Sequence, residues 1–483
     1  MPGNARATQL KALFGVFLAL PAVAADVDPR LLGRWWGTTG TERERIDVGF
    51  EFSRGADGKL MTRITQPIMN YYGQAAGEAQ WDGERLSNAT LKLSLALDGD
   101  ALRGHYPGPN SEIELKRVDK LPSEPTPPRL PAGPEPRWQT RLGGQIFASP
   151  IVADGVAYVG STAGVFNAVD ARDGKLRWAY ATGAAIHGAA AVTGDAVYFA
   201  DDGGTLHRLD RSNGKPQWRR TLHAPVPRVL PHPQVFDWDW QGAQPLVVDG
   251  IVYIGGGDGR MHAIDAASGE PRWSFATGGK IRSGAALDGE RVVFGSEDHF
   301  VYALDRHSGQ LAWRFDTGAA VDATPVVHEG RVFVGNRGYG LHALSAETGE
   351  LAWKLFFWGS WVESTPVVVD GTLYIGSSDL RRVSAIDPAD GRVLWRSDVF
   401  GWTWGTPLVI DDRIYVAAAG GAPYFIRHVA SLASLDRKTG RMLTRRPLPD
   451  TGGHQWGVAG SIARAGDTLI VASIEGALYG FPL

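Results

Sequence analysis

The chain has 483 residues, 43% hydrophobic and 21% charged, which is too long for one ordinary core, so several domains or a repeat array are expected. Its 49 Lys+Arg against 52 Asp+Glu give a formal charge of −3 with no basic run, so nucleic acid finds no electrostatic footprint. Cysteine is absent, which excludes disulfides, thiolate metal sites and a lipid-modified cysteine.

Residues 1–25 carry Arg6 and Lys11, an apolar run from Ala12 to Leu20, Pro21, and then Ala22-Val23-Ala24-Ala25. This is the pattern of a cleaved secretory signal, with an apolar run too short to span a bilayer. No later stretch reaches about 18 apolar residues, so no membrane span is expected. The mature protein is therefore expected in the periplasm or secreted, without a lipid anchor.

Residues 26–119 form alternating segments such as RIDVGFEF, KLMTRITQP and EIELKRV, separated by Gly, Asp and Asn turns. They predict a small antiparallel β-barrel or sandwich. The opening Gly33-x-Trp35-x-Gly37 and the closing LRGHY and IELKRV resemble lipocalin-like modules of secreted bacterial proteins, and Trp35, Trp36 and Trp81 are expected in the core. The linker, 120–136, holds seven prolines and reads as a stiff, extended spacer.

From residue 137 to 483 one phrase recurs: AVDARDGKLRW (168–178), RLDRSNGKPQW (208–218), AIDAASGEPRW (263–273), ALDRHSGQLAW (303–313), ALSAETGELAW (343–353), AIDPADGRVLW (385–395) and SLDRKTGRMLT (434–444). From Trp138 the intervals are 40, 40, 55, 40, 40, 42 and 49, so two copies carry insertions. An alternating strand runs into an Asp that can cap a turn, a Gly supplies positive φ, and a Trp starts the next strand. Two more strands with a DG or EG turn precede each phrase, giving four strands per period, which is a propeller blade. The C-terminal GALYGFPL lacks a fourth strand, and Glu135–Arg141 is a fourth strand lacking a blade. Together they predict an all-β fold, an eight-bladed propeller closed by an N-terminal strand.

These phrases resemble the PQQ-type repeat family, shared by quinoprotein alcohol dehydrogenases and the periplasmic propeller lipoprotein of the outer-membrane β-barrel assembly machinery. The resemblance covers 137–483 and specifies fold far more than function.

Of 17 tryptophans, three lie in the front domain and seven occupy the repeat position, where they pack between blades. The other seven, Trp238, Trp240, Trp358, Trp361, Trp402, Trp404 and Trp456, fall in segments leading into the innermost strand, at one rim of the channel. Aligning those segments places Phe147, His187, Gly242, Arg282, Asp322, Glu363, Trp404 and Val458 on one ring. Two residues earlier an outer ring includes Trp240, Lys280, Trp361, Trp402 and Trp456. Insertions 223–241 and 419–428 could cover this mouth.

The mouth suggests binding of a small polar, carbohydrate or aromatic ligand. Arg282 and Lys280 would grip an anionic or polar group and Trp240, Trp361, Trp402, Trp404 and Trp456 would stack, with lyase or hydrolase chemistry by His187, Asp322 or Glu363 conceivable. The bland alternative is that these charges only neutralise one another. The family resemblance implies two further readings. One is a PQQ-dependent alcohol or polyol oxidoreductase, with Trp404 or Trp240 under the quinone, Arg282 and Lys280 on its oxygens, Glu363 on Ca²⁺ and Asp322 as base. Against it, the adjacent cysteine pair is impossible here, and Gly-Asp-x-x-Trp-Gly and C-x-x-C-H motifs are absent. The other is a non-catalytic scaffold partnered by outer-membrane assembly proteins. His187, His223, His232 and His454 lack metal-ligand spacing, so no metal site is expected.

Overall fold

The computed structural model describes residues 27–41, 43–107, 112–126, 129–228, 239–421 and 426–483; the leader expected in 1–25, His232 and Trp238 lie outside them. The described residues hold no α-helix, and the chain divides into two compact units.

The first unit is a closed barrel of eight antiparallel strands, in which Gly33–Gly40 pairs with Glu112–Val118. Its strands alternate because one face fills the lumen, where Trp35, Val48, Phe50, Phe52, Leu95 and Leu115 are buried. Trp35 anchors this core and donates from Nε1 to the Leu31 carbonyl at 2.9 Å. Trp36 and Trp81, expected beside it, are only half-buried: Trp36 follows Trp35 onto the outward face of its strand, whereas Trp81 shares the inward face of the buried Leu86 but stands at the last position of the strand Tyr71–Trp81.

The second unit is the eight-bladed propeller; seven blade sheets run in chain order from inner to outer strand, and the eighth takes its outer strand from the start of the propeller. In blade five, Val326–His328, Arg331–Gly335, Gly340–Ser345 and Leu351–Phe356 are the four strands. The two middle strands are apolar on both faces because each blade is covered by a neighbour on either side. A bulge between Ala343 and Leu344 recurs at the same place in seven blades, adding twist opposite the repeat tryptophan.

The recurring phrase is the joint between blades. Asp305 Oδ1 accepts from the Ser308 amide at 2.8 Å, and Gly309, at φ 72°, closes the turn. Trp273 of the preceding blade packs on Gly309, where a Cβ would fall 2.6 Å from the indole, and donates from Nε1 to the Arg306 carbonyl at 2.9 Å. The same bond runs from Trp138 to Ala171, Trp313 to Ala346 and Trp395 to Arg437, so each indole locks its blade to the next.

Closure follows the expected route. Trp138–Arg141 pairs antiparallel with Ala477–Pro482 and completes blade eight. Arg137 adds an ion pair to Asp467 at 2.7 Å. The end of the proline-rich segment is not a free spacer: Arg446 of blade seven holds the Gly133 carbonyl at 2.6 Å and Glu135 at 2.8 Å.

Candidate functional site

At one end of the channel lies a cavity of about 420 Å³. Phe147, His187, Gly242, Arg282, Asp322, Glu363 and Trp404 of the inner ring line it, and Trp240 joins them. Each stands on the short segment ahead of its blade's inner strand, so the blade repeat itself aims one side chain per blade at the axis. Val458, the eighth ring position, is buried beside blade eight and gives its place in the lining to Ala459 and Gly460.

Three of the expected residues, His187, Asp322 and Glu363, thus share one cavity with Arg282, Trp240 and Trp404. Lys280, Trp361, Trp402 and Trp456 do not line it and support those that do. Trp404 lies between Trp402 and Trp240, with ring centroids 5.2 Å and 5.1 Å away, and Trp402 stacks in turn on His428 at 4.2 Å. Trp404 Nε1 donates to Ser378 Oγ at 3.1 Å. The indoles form a packed wall. Trp361 lies under the Arg337 guanidinium at 4.7 Å, and Trp456 sits in the short strand Gln455–Gly457, paired with the extended strand Arg413–Gly421 of blade seven.

The charges are arranged as two buried clusters. In the first, Asp239 takes both Nε and Nη2 of Arg282, at 2.7 and 2.5 Å, together with Lys280 at 2.8 Å and Arg228 at 3.2 Å. Burial alone would raise the Asp239 pKa, but the hydrogen bonds and charge of Arg282, then Arg228 and Lys280, hold it below the usual range. Arg228 continues to Asp202 at 2.7 Å, and Asp202 lies 2.7 Å from His187 Nδ1. Burial pushes the His187 pKa down, so the ring is neutral near pH 7. In the second cluster, Arg337 Nε lies 2.8 Å from Asp322 and 2.9 Å from Glu363. Burial pushes Glu363 up to about 7 against the pull of Arg337, and also pushes Glu297 up to about 7.

Arg282 and Lys280 are therefore not neutralised by Asp322 and Glu363, as ring order alone suggests; their partner is Asp239. Asp239, Arg228, Asp202 and Arg337 were not singled out from the sequence. A signal existed for two of them, Asp202 and Arg337: residues 15 positions after the inner ring recur beside it, as in His187 and Asp202, Arg282 and Glu297, or Asp322 and Arg337. Asp239 and Arg228 belong to the blade-three insertion, outside the period.

The residues cast for a quinone cofactor do not fit one. Glu363 and Asp322, the implied calcium ligand and base, share one guanidinium, and among the described residues no group of three or more His, Asp or Glu is gathered to hold a metal ion. Arg282 spends two guanidinium nitrogens on Asp239, and Trp404 has indoles on both sides. No step is derived through that group.

A family model described as outer membrane protein assembly factor BamB matches residues 132–229, 232–355, 297–381 and 357–481. No curated protein matches the chain. Among solved structures it is similar to BamB from Moraxella catarrhalis, at 20% identity and TM-score 0.51, covering 67% of this chain and 92% of that one. It is also similar to quinohemoprotein alcohol dehydrogenase from Comamonas testosteroni, at 15% identity and TM-score 0.54, covering 72% and 76%. A computationally designed protein, Ika8, is similar at 16% identity and TM-score 0.56, covering 71% and 98%. An assembly factor, a dehydrogenase and a designed chain share this likeness, so it shows the fold alone.

Proposed function

The chain belongs to the PQQ-type β-propeller family, and on that premise we propose that it is an exported binding protein holding a small polar ligand in the mouth of its propeller channel. The observation that supports this most is the cavity of about 420 Å³, which gathers the carboxylates of Asp322 and Glu363, the Arg282 guanidinium, the His187 imidazole and the Trp240 and Trp404 indoles at one place on the channel. In this reading Glu363 and Asp322 accept from the ligand, and neutral His187 and Arg282 fix its orientation. Trp240 and Trp404 wall the site, while Lys280, Trp361, Trp402 and Trp456 hold that wall and its charges in place. The leader residues 1–25 and the family description support export to the periplasm.

The test is titration of the purified protein with sugars, polyols and amines while indole fluorescence is followed. A saturable change that weakens at least tenfold in Glu363→Gln and Trp404→Ala is expected. Saturation by none of these compounds would sink the reading.

The family model favours a second reading, a scaffold working with outer-membrane assembly proteins, since its match spans the whole propeller. Co-purification of such proteins with the tagged full chain would support it, and their absence from crosslinked material would count against it.

A further inference from the structure

Two residues ahead of the inner strand, a run of neighbouring blades carries a hydroxyl: Thr324, Thr365, Thr406, Ser461 and Ser149, on blades five to eight and one. All of them line the cavity and are half-buried. Thr324 Oγ1 accepts from the Gly284 amide at 2.8 Å, Ser461 Oγ from the Thr406 amide at 2.9 Å and Ser149 Oγ from the Ser461 amide at 2.8 Å. In each case the amide belongs to the preceding blade. The O–H proton is thereby left to donate, and it has no acceptor among the described residues. Thr365 Oγ1 and Thr406 Oγ1 make no hydrogen bond with the described residues and are not shut away from water.

The cavity reaches farthest along blades eight and one, where the inner-strand residues Ala463, Arg464, Ile151 and Val152 line it. Arg464 follows Ser461 by one strand step and donates from Nε to the Gly466 carbonyl at 2.8 Å; it has no carboxylate partner among the described residues. Arg282, the other cation of the lining, is bonded to Asp239. Asp322 stands on blade five, across the ring from blade one.

On the reading that this cavity is a ligand site, we propose that it takes a polyhydroxylated carboxylic acid, a sugar acid, with its hydroxyls on the belt of Ser149, Thr324, Thr365, Thr406 and Ser461 and its carboxylate on Arg464. A hydroxyl both gives and accepts a hydrogen bond, so a polyol matches a row of side chains that do the same. A neutral sugar satisfies the row but leaves Arg464 without a counter-ion, whereas a carboxylate meets the guanidinium fork in a charge-assisted pair. A phosphate or sulfate also meets the cation, but it offers the belt no row of hydroxyls. The cavity volume of about 420 Å³ lies in the range of small-molecule sites, about 300–1,000 Å³.

The experiment uses the full chain and the probe glucuronate against glucose and the neutral amide glucuronamide, with acetate and inorganic phosphate as further arms, each followed by calorimetry and by indole fluorescence. Glucuronate should bind about tenfold more tightly, or better, than any of the other four. Arg464→Gln should bring glucuronate down to the affinity of glucose and leave glucose unchanged. Thr406→Val keeps the shape of the side chain and removes no bond within the described residues, so it should weaken glucuronate and glucose alike, by about threefold or more. Near-ultraviolet circular dichroism of each variant establishes that the ring is folded, and the exposed Arg464 keeps the test decisive if Thr406→Val does not fold. Glucuronate binding no better than glucose or glucuronamide, acetate or phosphate matching it, or a preference that survives Arg464→Gln would overturn the proposal while leaving a ligand site in the mouth. No saturable binding in any arm would overturn both.

Discussion

Glu363 shows how one buried group ties stability to pH. Burial raises its pKa from 4.5 to about 7, with Arg337 opposing and Asp322 and Asp379 reinforcing the shift. Between those values the folded chain holds a proton that the unfolded chain has released. Stability therefore falls as pH rises through this window, and the cost is complete above about 7. Glu363→Gln removes this cost and leaves Arg337 paired with Asp322. Thermal midpoints of the two proteins at about pH 5 and about pH 8 should show the variant gaining on the parent as pH rises; a difference independent of pH would contradict the assignment.

At the scale of the element, the blade joint is a Trp of one blade set on the Gly turn of the next. Trp313 is 7% exposed and donates to the Ala346 carbonyl at 2.9 Å, so Trp313→Ala removes a packed indole and leaves an acceptor unpaired. A loss of about 3–5 kcal/mol in chemical denaturation is expected. Gly349 faces that indole with φ 74°, and a Cβ there would lie 2.6 Å from the ring, so Gly349→Ala should cost at least about 1 kcal/mol through strain and contact. These joints were legible because the phrase that supplies both halves is local and recurs: Asp caps the turn, Gly turns it, Trp follows four residues later. The inner ring was legible for the same reason, since a fixed position in a repeat has a fixed place around the axis. The clusters behind it were not read. Arg337 sits 15 residues after Asp322, at an offset visible in the period, but its bond to Glu363 crosses between blades. Asp239 lies in an insertion that no repeat aligns, so its grip on Arg282, Lys280 and Arg228 emerges only in three dimensions.

For the whole molecule the decisive contact joins the first and last strands of the propeller. Four residues, Trp138–Arg141, cover the last edge of the ring through the pairs Gly480 with Trp138 and Ala477 with Arg141. Bringing such remote strands together costs chain entropy, but this grows only with the logarithm of loop length, each doubling adding about 0.6 kcal/mol. Against it stand a strand ladder, the Trp138 indole on Gly174 and Gly480, and the Arg137 ion pair. The ion pair is exposed and contributes little, so Arg137→Ala should shift the thermal midpoint only slightly. Removing the strand is different in kind. A chain beginning at residue 142 leaves Ala477–Pro482 with unpaired backbone groups and blade one without the indole that covers its turn. With both neighbours of that seam exposed, the opening propagates, because every blade is stabilised chiefly by the next. Such a chain should lose its near-ultraviolet signal and aggregate through the bare edge, as measured by circular dichroism and light scattering. A monomer with native circular dichroism would show instead that seven closed joints suffice to hold the eighth.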